Sequence, residues 1–174
     1  MDQGKGGFSP GMSKPSRTSG AMDKPRCFFV TASTVSGRAI LQCTRMAELL
    51  IETLRNYVNQ NRFVVHDFVV MPNHLHVLLT VAADSNLETA VQLIKGGFSY
   101  RARKECGFSG EVWQRGFSDV YVPNEASFKT HQQYIWQYPV KAGLVENQDD
   151  YPFGSAYLKR EKRARAEALS SATT

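Results

Sequence analysis

The tightest constraint on the fold is a pair of apolar segments separated by only three residues. Phe63 to Val70 is dense in valine and phenylalanine, and after Met71-Pro72-Asn73 a second run extends from His74 to Val81. Such runs suit a pleated, half-buried surface, and Pro72, which has no N–H to give to a ladder, marks the break between them. So short a connection joins antiparallel neighbours, because parallel strands need a crossover of a dozen residues or more. Along the second run side chains alternate, so His74, His76, Leu78 and Thr80 share one face while Leu75, Val77, Leu79 and Val81 share the other. The two imidazoles therefore point the same way, with Cα atoms roughly 6.5–7 Å apart, a separation from which both can reach one divalent ion. Taken alone, such a pair more often reflects surface exposure or local hydrogen bonding than a metal.

The remaining elements follow from changes of period. Cys27 to Thr31 is a short apolar run suited to a central strand. Leu41 to about Asn59 sets Ala47, Leu50, Ile51, Leu54 and Val58 at helical spacing. Ser85-Asn86-Leu87-Glu88 has the form of a capping box and opens a second helix with a stripe of Leu87, Val91, Ile94 and Phe98. Gly107 to Gly110 ends it, Val112 to Val122 reads as extended chain bent at Gly116, and Asn124 caps a third helix running to Pro139. The order predicts an α+β, ferredoxin-like split β-α-β-β-α-β antiparallel sheet with helices on one face, plus an extra C-terminal helix.

With 174 residues and 42% hydrophobic content, the chain holds enough apolar side chains for one domain of ordinary size. Residues 24–157 are assigned to it. Residues 1–23, mostly Gly, Ser, Pro and Lys, read as a disordered basic arm, and residues 158–174 as a basic tail that begins as a short helix. The net charge of +5 and pI near 9.2 favour an anionic partner, nucleic acid first, although a basic surface without a partner fits the charge as well. Cys27, Cys43 and Cys106 are odd in number and far apart, which argues against a zinc or disulfide framework and for reduced thiols. No apolar run approaches the roughly 20 residues that cross a bilayer, and no signal-like segment is present, so a cytoplasmic location is expected.

Four segments carry a resemblance. Met71-Pro72-Asn73-His74-Leu75-His76-Val77-Leu78-Leu79 resembles the His-hydrophobic-His signature of single-tyrosine transposases, in particular the REP-associated group. In the same order follow Leu93-Ile94-Lys95-Gly96-Gly97-Phe98-Ser99, then Val112-Trp113-Gln114-Arg115-Gly116-Phe117-Ser118-Asp119, then the stretch from Tyr134 to Val145. The resemblance implies that His74 and His76 bind Mg²⁺ or Mn²⁺ and that Tyr134, on a later helix, attacks a DNA phosphate. A 5′-phosphotyrosine link and a free 3′-OH would result, to be rejoined by another strand without ATP. The implied partner is single-stranded or hairpin DNA of repetitive palindromic elements, bound by a monomer or a homodimer.

Two positions depart from the pattern. The amide or carboxylate usual four residues after the tyrosine is here Tyr138, a poor ligand for a hard cation. Gln137 is the preferred substitute if the helix unwinds before Pro139, and His131, one turn before Tyr134, is the other. Val120 stands where the family often has histidine. Lys95, Arg101, Arg103, Lys104 and Arg115 are the candidate DNA contacts, and Trp113 and Phe117 either stack on unpaired bases or belong to the core. Besides an active strand transferase, a DNA-binding protein that keeps the fold without turnover and a small metallohydrolase using activated water remain as readings.

Overall fold

A computed structural model describes residues 24–171; the expected N-terminal arm, residues 1–23, lies outside them. Four strands, β1 (Arg26–Ser33), β2 (Val64–Met71), β3 (His74–Val81) and β4 (Ser118–Val122), form an open antiparallel sheet in the order β2-β3-β1-β4. Helices α1 (Thr44–Asn59) and α2 (Leu87–Cys106) cover one face; α3 (Glu125–Lys141) lies across the other, and α4 (Ser155–Ser171) runs beside edge strand β2. This is the ferredoxin-like arrangement with an added tyrosine-bearing helix. Among the described residues no helix is long and apolar enough to cross a membrane.

The alternation in β3 divides the core. Leu75, Val77, Leu79 and Val81 pack with Leu50, Leu54, Ile94 and Phe98 beneath α1 and α2. Leu78 instead joins Val69, Met71, Val122 and Ile135 beneath α3. α1 and α2 approach so closely at Gly97 that a Cβ placed there would lie 2.5 Å from the Tyr57 hydroxyl. Gly97→Ala is therefore expected to destabilise the protein by about 1–3 kcal/mol, read from urea denaturation, because Tyr57 or the helix must shift; Gly96→Ala, whose Cβ meets nothing within 4 Å, serves as the control.

Four local expectations are corrected. α1 starts at Thr44 because Ile40–Gln42 winds as a separate 3₁₀ turn. The cap of α2 is Asn86, whose Oδ1 accepts from Thr89 N at 2.7 Å, while Ser85 N donates to Ala82 O to close the preceding turn. Of the extended stretch 112–122 only residues 118–122 form a strand; Gln114 instead bonds Ser33 at the end of β1 and Val112 bonds Val35 just beyond it, and Gly116 turns the chain at φ 71°. α3 continues through Pro139 to Lys141, since a proline late in a helix forfeits one hydrogen bond without requiring the backbone to leave helical angles, and it stops before Gly143 at φ 72°. α4, which carries the basic C-terminal residues, starts at Ser155, with Ser155 and Ala156 buried.

Between Val65 and Asp67 the β2–β3 register slips, leaving His66 as an extra residue. A bulge re-aims the side chains beside it. Here His66 Nε2 reaches Thr80 Oγ1 at 2.8 Å and Asp67 is turned under α3. Asp67 is 1% exposed and accepts at 2.7 Å from Gln132 Nε2 and Trp136 Nε1 of α3 and from Ser155 Oγ and Lys159 Nζ of α4. One carboxylate thus ties both C-terminal helices to the sheet.

Candidate active site

The pairs Ser33↔His74 and Thr31↔His76 seat both histidines between β1 and β2, on the face crossed by α3. Their Nε2 atoms are 3.1 Å apart. His74 Nδ1 donates to Asn73 Oδ1 at 2.7 Å, an amide whose Nδ2 in turn donates to Gly37 O at 3.5 Å, so the neutral His74 ring presents its Nε2 lone pair to His76. His76 Nδ1 lies 2.8 Å from Thr31 Oγ1. When that nitrogen donates to the hydroxyl, both Nε2 lone pairs converge on one point. Two ligands at right angles about an ion, each at about 2.1 Å, are separated by about 3 Å, so the pair fits one edge of a divalent-cation site. Burial, and secondarily the neighbouring His74, hold His76 down at about 3, and burial lowers His74. Both rings are therefore neutral and available as ligands at ordinary pH.

α3 supplies the phenols. Tyr134 and Tyr138 are one turn apart, and both ring centroids lie close to that of His76, at 5.5 Å and 4.5 Å. Tyr138 also meets His74 at 5.3 Å and so closes the side from which a third ligand would approach. Tyr134 is 37% exposed and stands at the mouth of the cleft, its ring edge against Phe29 and the ammonium of Lys141 5.7 Å from its centroid. Burial, followed by the Tyr138 hydroxyl beside it, raises the Tyr134 phenol above its ordinary value. Phe29 stacks on His76 at 5.3 Å and touches His131 at 4.9 Å. His131 Nδ1 donates to Ser127 O at 2.8 Å.

The condition for Gln137 to serve as a ligand is not met. α3 stays wound, and Gln137 faces an outer groove with Lys141, Asp149 and Arg160, away from the imidazoles. Among the described residues no group of three or more His, Cys, Asp or Glu side chains could hold a metal. Val120, opposite Phe29 on β4, adds an exposed apolar side chain to the cleft side of the sheet.

Two of the basic candidates, Lys95 and Arg101, are held by partners elsewhere in the fold. Lys95 Nζ donates to Gln114 O and Gly116 O at 2.8 and 2.7 Å, pinning the approach to β4. Arg101 is held by Glu52 and Glu105 at 2.7 and 2.6 Å on the opposite side of the molecule. The Lys104 ammonium lies 5.6 Å from the Tyr100 ring centroid, and Arg103 and Arg115 are exposed. Trp113 packs on Phe98 at 5.6 Å and donates to Lys95 O, and both it and Phe117 pack against the main core, which favours the core reading of the two aromatics. Sequence reasoning missed Phe29, Thr31 and Asn73, which orient the imidazoles, and Lys141. Lys141 follows Tyr134 by seven residues, two helical turns, a spacing that offered a signal; the cross-strand placement of Phe29 and Thr31 offered none.

Comparison with known proteins decides what kind of site this is. A family model described as "Transposase IS200 like" matches residues 30–138, from the middle of β1 to Tyr138. The chain belongs to the IS200-like transposase family. Within this transposase family, the chain is 26% identical over 129 residues to the REP-associated tyrosine transposase of Escherichia coli strain K12, covering 74% of each protein. It also resembles a solved structure of a REP-associated tyrosine transposase bound to a REP hairpin, with a TM-score of 0.62, 26% identity and 84% of each chain covered. The resemblance in the four motifs is thus borne out, and the family's name assigns the chain to DNA-processing enzymes.

Proposed function

We propose that this transposase cleaves and rejoins single-stranded or hairpin DNA through a covalent 5′-phosphotyrosine on Tyr134. The observation that carries the reading is the convergence of a solvent-reachable phenol and two same-facing neutral imidazoles, 58 residues or more apart in sequence, in one cleft. Tyr134 Oη would attack the phosphorus, the bond to the 3′-oxygen would break, and that oxygen would leave as a 3′-OH while the phenol's proton passes to solvent. A later 3′-OH attacking the phosphotyrosine reverses these bond changes and frees the tyrosine. His74 and His76 would hold Mg²⁺ or Mn²⁺, which when bound supplies positive charge to the phosphate and to the developing phenolate. Asn73 and Thr31 keep the imidazoles aimed, Phe29 holds His76 from beneath, and Lys141 places a further cation beside the phenol. The test is incubation with a hairpin oligonucleotide and Mn²⁺: a denaturation-resistant protein–DNA adduct on the hairpin supports the reading, and none on any hairpin defeats it.

Tyr138 against both imidazoles favours a second reading, a DNA-binding protein with slow turnover, because a phenol stands where an amide or carboxylate oxygen would complete the site. Tyr138→Asn places an amide on the same helical face. It is expected to raise Mn²⁺ affinity by roughly 10-fold or more, measured by titration calorimetry, and to raise the adduct rate with it. Unchanged affinity means that the site binds its ion without a protein ligand from α3.

A further inference from the structure

We propose that a basic groove between α1 and α4 binds the phosphate backbone of the single-stranded DNA flanking the hairpin; the proposal rests on the DNA-strand reading of the Tyr134 cleft. The groove, about 750 Å³ in volume, is lined by Arg55 of α1, by Lys159, Lys162 and Arg165 of α4, and by Tyr157 and Phe68 at its apolar floor. It runs along edge strand β2, with Val65, Phe68 and Leu158 from the α1 side and His66, Ser155 and Lys159 reaching round toward the α3 side, on which the Tyr134 cleft lies. The two share that strand: Phe68 faces the groove, and its neighbour Val69 stands opposite His76.

Charge singles out this groove because several unmatched cations gather in one concavity. Arg45 and Arg101, by contrast, are matched by Glu52 and Glu105, and Arg160 by Asp150 and Glu161. Among the described residues Arg55, Lys162 and Arg165 have no carboxylate within ion-pair distance, and in the groove only Glu161 opposes them, with Asp67 behind Lys159. A second groove of similar size, about 660 Å³, sets Glu146, Asp149 and Asp150 against Lys141 and Arg160 and so lacks a net positive lining. Lys159, Lys162 and Arg165 recur every three residues, so they line one side of α4 and offer a row of donors to successive phosphates. Tyr157 closes one end of this floor, with the Arg160 guanidinium 5.1 Å from its ring centroid.

The test compares wild type with Arg55→Gln/Lys162→Gln/Arg165→Gln on a hairpin bearing a single-stranded flank of about ten nucleotides. Fluorescence anisotropy across a salt series is expected to show roughly 10- to 100-fold weaker binding and a salt slope shallower by about 2, for three lost contacts to single strand. The variant should match wild type on the hairpin without its flank, and at saturating DNA it should form adduct at the wild-type rate. Unchanged affinity, an unchanged salt slope, or an equal loss on the flankless hairpin overturns the proposal. If thermal melting shows the triple variant unfolded, Lys162→Gln/Arg165→Gln, confined to the exposed part of α4, is read in its place by the same criteria. Should wild type form no adduct with any hairpin, the cleavage reading fails while the salt slope still judges the groove.

Discussion

Tyr134→Phe is expected to lower covalent capture of a hairpin oligonucleotide by on the order of 10⁴-fold or more, because removing the nucleophile removes the bond-making step. Hairpin affinity should stay within about threefold of wild type, since the lost hydroxyl serves the reaction rather than the grip on DNA. The side chain is 37% exposed and its ring contacts with Phe29, His76 and Tyr138 survive the change, so the melting temperature should move by no more than about 2 °C. Adduct yield on denaturing gels, with affinity and melting measured in parallel, separates a chemical role from a structural one. Full adduct formation by Tyr134→Phe sinks the assignment of the nucleophile, and Tyr138, one turn on and also facing His76, becomes the residue to mutate next.

Asp67→Ala is expected to have the largest effect on stability, about 3–5 kcal/mol by urea denaturation, because a buried carboxylate that takes four hydrogen bonds leaves its donors stranded. Lys159, with 45% of its side chain exposed, can turn to water, so the loss falls mainly on Trp136, Gln132 and the buried Ser155. Burial alone would raise the Asp67 carboxyl; the bonds from Gln132, Lys159, Ser155 and Trp136 outweigh it and hold it below its ordinary value. A carboxyl depressed in the fold stabilises fully above its unfolded value, near about 3.9, and that contribution disappears as pH falls through the folded value. His76 acts in a higher window. Its folded value of about 3 lies below the roughly 6.5 of the unfolded ring, so the unfolded state takes up a proton first and stability declines as pH falls from about 6.5 toward 3. Unfolding free energies measured from about pH 7 to about pH 3 should show both stages, with His76→Gln blunting the upper and Asp67→Asn the lower. A pH profile in Asp67→Asn identical to that of wild type would remove the buried carboxylate from the account.

Asp67 anchors the same helix that carries Tyr134. Trp136 and Gln132 meet the carboxylate from one side of α3 while Tyr134 and Tyr138 meet the imidazoles from the other. Loss of the clamp should therefore misplace the phenol as well as weaken the fold.

What the sequence determined by itself was local and periodic. The hairpin of β2 and β3, the shared face of His74 and His76, the helix bearing Tyr134 and the capping Asn124 all follow from alternation, helical spacing and turn chemistry within a few residues of chain. Tertiary structure alone decided which groups meet. Arg101, a phosphate contact by its residue type, is claimed by Glu52 of another helix; Gln137 turns outward because α3 does not unwind; and Asp67, inconspicuous in a run of valines, becomes the junction of two helices through a one-residue slip in register. The physical reason is range. Backbone periods depend on neighbours in sequence, whereas the partner of a charge or a lone pair depends on packing between segments tens of residues apart, where a shift of a single residue sends a side chain to the other face of the sheet.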